Sequence, residues 1–480
     1  MTRPHLTPGR TRALSALTAG CTLVLARAWT AGPDVSDDPL IAALALGGIG
    51  FAGTYAGVVW TAPVFAQRGF RGKDLGKGGA RGEIPEGMGL IAALVYLLMV
   101  IVFLPFAFKR HVEDVTTTTT TAAMNEGRRG LHRFPLEKLA SYGFAYGTLA
   151  SVIILGILDD TFDMRWRHKF FIPAVAALPM LGLYLVDYGV THVVVPQPLR
   201  KWTADAEGRG GDLVDLGALY YAYMAAVAIF CPNSINILAG INGIEVGQSL
   251  VIAGLLVLND ALYLVPAASS SSPSAAAAAA EGHLFSTSLL LPFIGVSLGV
   301  GAHNAFPARV FVGDTYCYFA GMLFAVVGIL GHFSKTLMVL FLPQVANFVY
   351  SLPQLLHVVP CPRHRLPRFD ARSGRLDASM VALPLAADPS APDRRTTLVA
   401  AAARGLDRLG LARVERDART DRVTAVSNLT LLNVWLVWRG PLSEGRLAGE
   451  VLTAQLAVGL VGLWCRHGLA RFLFVAADNR

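Results

Sequence analysis

Composition and charge place this chain of 480 residues in a membrane. It is 54% hydrophobic and only 15% charged, with a mean hydropathy of +0.50, which excludes an ordinary soluble domain of this length. The net charge of +8 therefore indicates loops that face anionic lipid or an anionic substrate. Since the sequence contains no nucleic-acid motif, we expect no nucleic-acid partner.

Ten apolar segments are long enough to cross a membrane. A helix of about 18 or more mostly apolar residues spans a hydrocarbon core of about 30 Å, and a helix satisfies its own backbone polar groups there. The sequence therefore predicts an all-α polytopic membrane protein with about ten transmembrane helices. The predicted spans are 40–66, 88–108, 139–158, 170–187, 215–232, 246–266, 285–302, 311–330, 332–356 and 447–466.

The remaining segments complete the predicted organisation. Residues 1–38 carry three arginines before a modest apolar stretch and a fourth, Arg27, that breaks it. This pattern fits a cleaved leader, an interfacial segment or a loose tail, and the sequence does not decide among them. Residues 39–356 hold the first nine spans, and 447–480 hold the last span with a tail. Between them, 357–446 mixes Pro, Arg and short apolar runs, which predicts a small cytosolic α+β insertion.

Alternation of the spans collects the polar clusters of the chain on one membrane face. If successive spans run in opposite directions, the connections 67–87, 159–169, 233–245, 303–310 and 357–446 share one side. Nearly every unusual polar cluster lies in these connections, so we expect one site built from loop ends. Arginines near the membrane ends of the last connection indicate that this face is cytosolic.

Two polar clusters point to phosphate or metal binding. Asp159 and Asp160 close a hydrophobic span, and Lys169 follows nine or ten residues later. A solvated helix end is one interpretation, and a site for phosphate or Mg²⁺ is the other. In "NSINILAGINGIE", Asn236 and Asn242 bring amides that need partners, either in a ligand site or in a polar contact between helices.

Two further clusters carry charge at the same face. Asp314, in "RVFVGDTYCYFAG", either stabilises a helix N-terminus through the helix dipole or serves a functional site in the membrane. In "PCPRHRLPRF", prolines restrain a turn that presents Arg363, His364 and Arg365, and arginine forks match phosphate oxygens. Snorkelling of these cations to lipid headgroups is the alternative. Together the clusters indicate metal-assisted phosphoryl chemistry on a lipid.

The motifs resemble those of a known family. "DDTFDMRWRHKFFIP", "NSINILAGINGIEVGQS" and "RVFVGDTYCYFAGM" look like the polyprenyl-phosphate N-acetylhexosamine-1-phosphate transferases, and the resemblance runs from about residue 40 to the C-terminus. The bacterial branch has Asp-Gly where this chain has Ala239-Gly240, and a histidine-rich loop where this chain has Arg363, His364 and Arg365. These departures favour the eukaryotic, dolichol-dependent branch.

The resemblance implies an activity, a location and a set of site residues. It implies a homodimer of ten-helix subunits in the endoplasmic reticulum membrane, with the site facing the cytosol. The implied reaction transfers N-acetylglucosamine 1-phosphate from UDP-N-acetylglucosamine to dolichyl phosphate, the first step of lipid-linked oligosaccharide synthesis. The implied residues are Asn236 and Asp314 as Mg²⁺ ligands, Asp159, Asp160 and Lys169 as catalytic residues, and Leu75, Glu86, Trp166, Gly240, Asn242, Phe311, Arg363, His364 and Arg365 as substrate-binding residues.

Two other functions fit the sequence. An ion-coupled transporter also combines ten spans with membrane Asp and Asn residues, but carriers hold such groups near the bilayer midplane on broken helices. Here the groups lie at span ends on one face, which favours the transferase. A related transferase that uses another sugar nucleotide or polyprenol is the second alternative.

Overall fold

The computed structural model describes residues 6–30, 39–74, 83–121, 135–162, 164, 171–203, 211–268, 273–362, 365–383 and 394–469. These residues form a bundle of long helices, with short strands at its two ends. The helices are α1 (Pro8–Thr30), α2 (Pro39–Gln67), α3 (Gly89–Thr121), α4 (Leu136–Phe162), α5 (Ile172–Ala176), α6 (Leu178–Leu183), α7 (Ala218–Ile237), α8 (Ile244–Ala268), α9 (Pro273–Asn304), α10 (Gly313–Leu330), α11 (Ser334–Leu340), α12 (Leu342–Leu355), α13 (Arg394–Arg408), α14 (Leu431–Arg439) and α15 (Glu444–Trp464).

The predicted class, an all-α polytopic membrane protein, is confirmed. Within the described ranges, nine helices are long and apolar enough to cross a membrane, and the pair α11 and α12 makes ten if it counts as one bent span. The ten differ from the predicted set at three places: the N-terminal segment, 170–187 and 332–356.

The N-terminal segment forms a helix that was not assigned from sequence. Helix α1 packs along α2, and the buried Lys109 donates a hydrogen bond from Nζ to the carbonyl of Ala28 at 2.9 Å. A cation at this position satisfies a C-terminal carbonyl and complements the helix dipole. Trp29 packs edge-on against Phe106. Only 6% of the apolar part of α1 is buried within the protein, so most of this helix is available to lipid.

Two predicted spans are not continuous helices. The structure divides the described part of 170–187 into α5, α6 and a π-helical turn at Tyr184–Tyr188, so one helix over this range is wrong. Pro179 lies in the first turn of α6, where its missing N–H and its ring do not allow α5 to continue. The segment 332–356 is bent by 69° between α11 and α12, and Pro343 again lies in the first turn after the break.

Helix α10 forms the centre of the bundle. Every residue from Thr315 to Leu330 is buried, and α10 packs against α4, α7 and α3. Phe319 of α10 lies between the rings of Tyr96 and Phe293, whose centroids are 4.9 and 5.5 Å away. The start of this helix therefore has a fixed position at one end of the bundle.

The connection between the last two spans contains the predicted α+β structure. An antiparallel hairpin pairs β5 (Arg368–Asp370) with β6 (Arg375–Asp377). A three-stranded antiparallel sheet has the order β7-β9-β8, and α13 packs against it. Strands β7, β8 and β9 are Met380–Ala382, Val414–Arg416 and Val423–Ser427.

Two further hairpins lie in other connections. One pairs β1 (Arg71–Lys73) with β2 (Glu83–Pro85) just before α3, and the other pairs β3 (His192–Val194) with β4 (Leu213–Asp215) just before α7.

Candidate active site

Four of the five connections that alternation assigned to one face line one polar cavity, and the described part of the fifth, 159–169, contacts its wall through Asp160. The loop before α10 pairs with the segment before α3: Phe311 N–H donates to the Pro85 carbonyl at 2.8 Å, and Gly89 N–H donates to the Val312 carbonyl at 2.8 Å. The cavity, which is partly open, has a volume of about 200 Å³. Six of the predicted site residues line it, namely Glu86, Asn236, Gly240, Asn242, Phe311 and Asp314.

Asp160, at the end of α4, caps the N-terminus of α10. Its Oδ1 accepts the backbone N–H of Asp314 at 2.7 Å. Its Oδ2 accepts the backbone N–H of Thr315 at 3.1 Å and the Thr315 hydroxyl at 2.5 Å. The residue before α10, Val312, has no side-chain acceptor, so a carboxylate from another helix satisfies these free N–H groups. Asp160 thereby fixes the position of Asp314.

Asp159 faces the interior of the bundle and is only 2% exposed. Its Oδ2 accepts the Tyr318 hydroxyl at 3.0 Å, and its Oδ1 accepts the backbone N–H of Met164 at 3.2 Å. Both aspartates are therefore hydrogen-bonded within the protein, and the solvated helix end considered from sequence is wrong.

Asn236 and Asp314 are neighbours in the wall of the cavity. Asn236, in the last turn of α7, donates from Nδ2 to Asp314 Oδ1 at 2.9 Å. The amide oxygen of Asn236 and the carboxylate of Asp314 are hard oxygen donors of the kind that Mg²⁺ binds.

The donor set fits a metal shared with a substrate. Among the described residues, no group of three or more His, Cys, Asp or Glu side chains could hold a metal ion alone. Mg²⁺ commonly takes one or two protein oxygens and completes its shell with water and substrate phosphates. The chemistry of the two donors therefore fits Mg²⁺.

Gly240 and Asn242 line the same cavity. Gly240 has φ +105°, and a Cβ atom there would overlap the Leu366 side chain, so only glycine fits at this position. Asn242 is buried, and its Oδ1 accepts the backbone N–H of Ala308 at 3.0 Å. The amide of Asn242 thus joins two of the loops that line the cavity.

Glu86 brings a second acid to the cavity. Burial, and to a lesser extent the negative charge of Asp314, raises the pKa of the Glu86 carboxyl above its usual 4.5. Lys73 and Asp74 line the same cavity from the segment that starts at β1. The wall therefore holds a cation as well as acids.

Arg365 lies beside the cavity, because its neighbour Leu366 is part of the wall. Its carbonyl accepts a hydrogen bond from Asn433 Nδ2 at 3.0 Å. Burial lowers the pKa of its guanidinium. Its Nη1 is buried with no hydrogen-bond partner among the described residues. The other predicted site residues, Leu75, Trp166, Lys169, Arg363 and His364, lie outside the described residues.

Sequence reasoning missed three residues that hold the site together. Thr315 and Tyr318 bind the two aspartates; they are one and four residues after Asp314, a spacing that places Tyr318 on the same face of the helix as Asp314. Glu444, which accepts the backbone N–H of Asn242, was missed because the last span was predicted to start at 447. The signal that could have indicated Glu444 was its position as the acid just before the predicted last span.

The fold and the site define a multi-pass membrane glycosyl transferase, and the family model "Glycosyl transferase family 4" matches residues 143–332. A UDP-N-acetylglucosamine–dolichyl-phosphate N-acetylglucosaminephosphotransferase of Saccharomyces cerevisiae is 44% identical, over 91% of this chain and 93% of the relative. Relatives of the same name from Schizosaccharomyces pombe and Dictyostelium discoideum are 43% and 36% identical, over 91% and 86% of this chain and 94% and 86% of their own. The chain therefore belongs to the family of UDP-N-acetylglucosamine–dolichyl-phosphate N-acetylglucosaminephosphotransferases.

Proposed function

We propose that this protein transfers N-acetylglucosamine 1-phosphate from UDP-N-acetylglucosamine to dolichyl phosphate, giving dolichyl diphosphate N-acetylglucosamine and UMP. The observation that carries the proposal is the convergence of Asp160 and Asn236, from two other helices, on Asp314, which lines the cavity together with Asn236. The names of the relatives supply the two substrates. The position of the cavity at the helix ends lets a lipid tail stay in the membrane while its phosphate meets a soluble nucleotide.

The reaction is a displacement at phosphorus. A non-bridging oxygen of dolichyl phosphate attacks the sugar-bearing β-phosphorus, and the bond from that phosphorus to the bridging oxygen breaks as UMP leaves. A phosphate monoester has a second pKa of about 6, so the attacking group is already largely dianionic at neutral pH. The protein therefore needs to position the two phosphates and offset their charge more than it needs a strong base.

Asn236 and Asp314 would hold Mg²⁺ at the cavity wall. When bound, Mg²⁺ supplies positive charge that offsets the negative charge developing on the phosphate oxygens. Asp160 orients Asp314 through the start of α10, and Asp159 is held by Tyr318. Since both aspartates already accept hydrogen bonds from the protein, we assign them to organising the site.

The remaining predicted residues would bind the substrates. Glu86, Gly240, Asn242 and Phe311 line the cavity and would form the uridine side, together with Leu75. Arg365, whose buried Nη1 has no hydrogen-bond partner in the described part of the chain, and His364 would recognise the N-acetylglucosamine. Lys169 and Arg363 would contact the transferring phosphates, and Trp166 would lie near the lipid and the sugar.

We also propose the setting of the reaction. The protein would be a homodimer in the endoplasmic reticulum membrane, with the cavity and the α+β insertion facing the cytosol, where nucleotide sugars are available. Arginines of the insertion, such as Arg368 and Arg439, follow the positive-inside rule in this orientation.

The test is release of UMP by the full chain purified in detergent. We expect UMP and the lipid diphosphate product only when UDP-N-acetylglucosamine, dolichyl phosphate and Mg²⁺ are all present, and inhibition by tunicamycin, a nucleoside mimic of the substrate pair. UMP release that does not depend on dolichyl phosphate would contradict the proposal. Uptake of nucleotide sugar into sealed vesicles without turnover would instead support a transporter.

A further inference from the structure

The first residue of the last membrane helix reaches into the wall of the site. Glu444 begins α15 and is only 5% exposed. Its Oε1 accepts the backbone N–H of Asn242 at 2.7 Å. This short, charge-assisted bond ties the Asn242 loop to α15.

Two loops of the cavity converge on this helix start. Asn242 accepts the backbone N–H of Ala308, which connects the loop after α7 to the loop before α10. The ring of Phe306, in the second loop, lies against Gly445, where a Cβ atom would be 2.9 Å from Cδ1. The first turn of α15 therefore contacts both loops.

Apolar packing anchors the Asn242 loop on the same elements. Leu238 and Ile241 are buried in a core that includes Leu436 of α14 and Leu447 and Val451 of α15. These loop residues thus pack on the helices at the end of the insertion, and the polar contact of Glu444 holds the peptide that follows Ile241.

We infer that Glu444 is a positioning residue for the nucleotide side of the site. It acts through Asn242, which lines the cavity, and it sets the backbone of the loop that meets the donor substrate. The inference rests on the proposed function. It predicts an effect on the affinity for UDP-N-acetylglucosamine and none on the acceptor lipid.

The test compares variants of nearly equal size at position 444. Glu444→Met keeps the length of the side chain and removes the acceptor oxygen, so the KM and Kd for UDP-N-acetylglucosamine are expected to rise about tenfold. The KM for dolichyl phosphate is expected to stay unchanged. Glu444→Gln keeps an acceptor oxygen and removes the negative charge, so its KM for UDP-N-acetylglucosamine is expected to equal that of the wild type. If the charge of Glu444 mattered only for the stability of the fold, this variant would not behave like the wild type.

Glu450, six residues further along α15, provides the matched control. It binds Trp435 and Arg439 at the contact between α14 and α15. Glu450→Met is expected to lower thermal stability without changing the KM for the nucleotide sugar. An unchanged KM in Glu444→Met, or an equal rise in Glu450→Met, would overturn the inference.

Two further outcomes keep the inference separate from the proposed function. If Glu444→Met does not accumulate, Glu444→Asp withdraws the oxygen by one methylene, and a wild-type KM in that variant would overturn the inference. If the wild-type protein binds UDP-N-acetylglucosamine but does not release UMP, the proposed function fails while the Kd comparison still decides the role of Glu444. A wild-type protein that does not bind the nucleotide sugar overturns both.

Discussion

At the scale of single residues, the hydrogen bonds of Asp160 limit its chemistry. Three donors from Asp314 and Thr315 converge on one carboxylate. A group held in this way stabilises a helix terminus and a neighbouring acid, and protonating it would disrupt those contacts. This geometry favours an organising role over general base catalysis.

We therefore expect Asp160→Asn to lower kcat by about tenfold or more, because the amide turns a donor toward N–H groups that need acceptors and removes charge from the helix N-terminus. The pH dependence of kcat/KM should keep its shape at a lower height. A pH–rate profile that loses its acidic limb in this variant would show instead that Asp160 is a base.

Glu86 gives a prediction about stability and pH. Its raised folded-state pKa means that the folded protein binds more protons than the unfolded chain between the usual value of 4.5 and the raised value, so stability falls as pH rises through that window. Glu86→Gln does not titrate, and with a chelator present it should unfold at a higher temperature than wild type at pH 7.

The measurement is thermal unfolding of both proteins between about pH 8 and about pH 5. The advantage of the glutamine variant should shrink as the pH falls. A constant difference across this range, or a less stable variant at pH 7, would show that the Glu86 carboxyl is not held at a raised pKa.

At the scale of elements, the start of α10 depends on a close approach of α4. Gly313 has φ +76°, and a Cβ atom there would lie 2.8 Å from Asp160 Oδ2 and 3.1 Å from Gly87 Cα. Neither the backbone conformation nor the space allows a side chain. The catalytic arrangement that we propose thus requires glycine at this position.

Gly313→Ala is expected to lose most activity, because the helix start and Asp160 must separate. Gly147→Ala, in the middle of α4, provides the control, since nothing lies within 4 Å of the added methyl group. That change should leave activity intact and stabilise the protein by about 0.5–1 kcal/mol. UMP release and thermal unfolding of both variants test this, and full activity of Gly313→Ala would refute the packing argument.

The elements also show what the sequence could and could not predict. Hydropathy located α2, α3, α4, α7, α8, α9, α10 and α15 because a span must be apolar along its whole length. It could not locate the breaks after Ala176 and Leu340, because an apolar run has the same hydropathy whether it is straight or bent. It also left α1 unassigned, since the weak apolar character of that segment fits several structures.

The site was predictable in part for a related reason. Alternation of spans correctly gathered Glu86, Asp160, Asn236 and Asp314 at one end, because topology alone determines which loops share a face. It could not predict that Asp160 caps α10, since that contact depends on the crossing of α4 and α10. Nor could it connect Glu444 to Asn242, which lie 202 residues apart in the chain.

At the scale of the whole molecule, the cavity, the α+β insertion and the start of α15 share one end of the bundle. Hairpin β3–β4 lies in a connection assigned to the other end. If α1 also crosses the membrane, its packing along α2 returns the N-terminus to the side of the cavity. The proposed orientation places this whole end in the cytosol.

Cysteine labelling tests that orientation in sealed microsomes. In a background without Cys21, Cys361 and Cys465, a cysteine replacing the exposed Ser373 should react with a maleimide that cannot cross membranes. A cysteine replacing the exposed Gln197 should react only after detergent is added. The reverse pattern would place the cavity in the lumen.

The most direct test of the central claim is the turnover of Asp314→Ala. We propose that the acid at the start of α10, together with Asn236, would hold the Mg²⁺, so this variant should release no UMP at any Mg²⁺ concentration while it unfolds at nearly the wild-type temperature. Near-normal turnover of a folded Asp314→Ala protein at saturating Mg²⁺ would contradict the account.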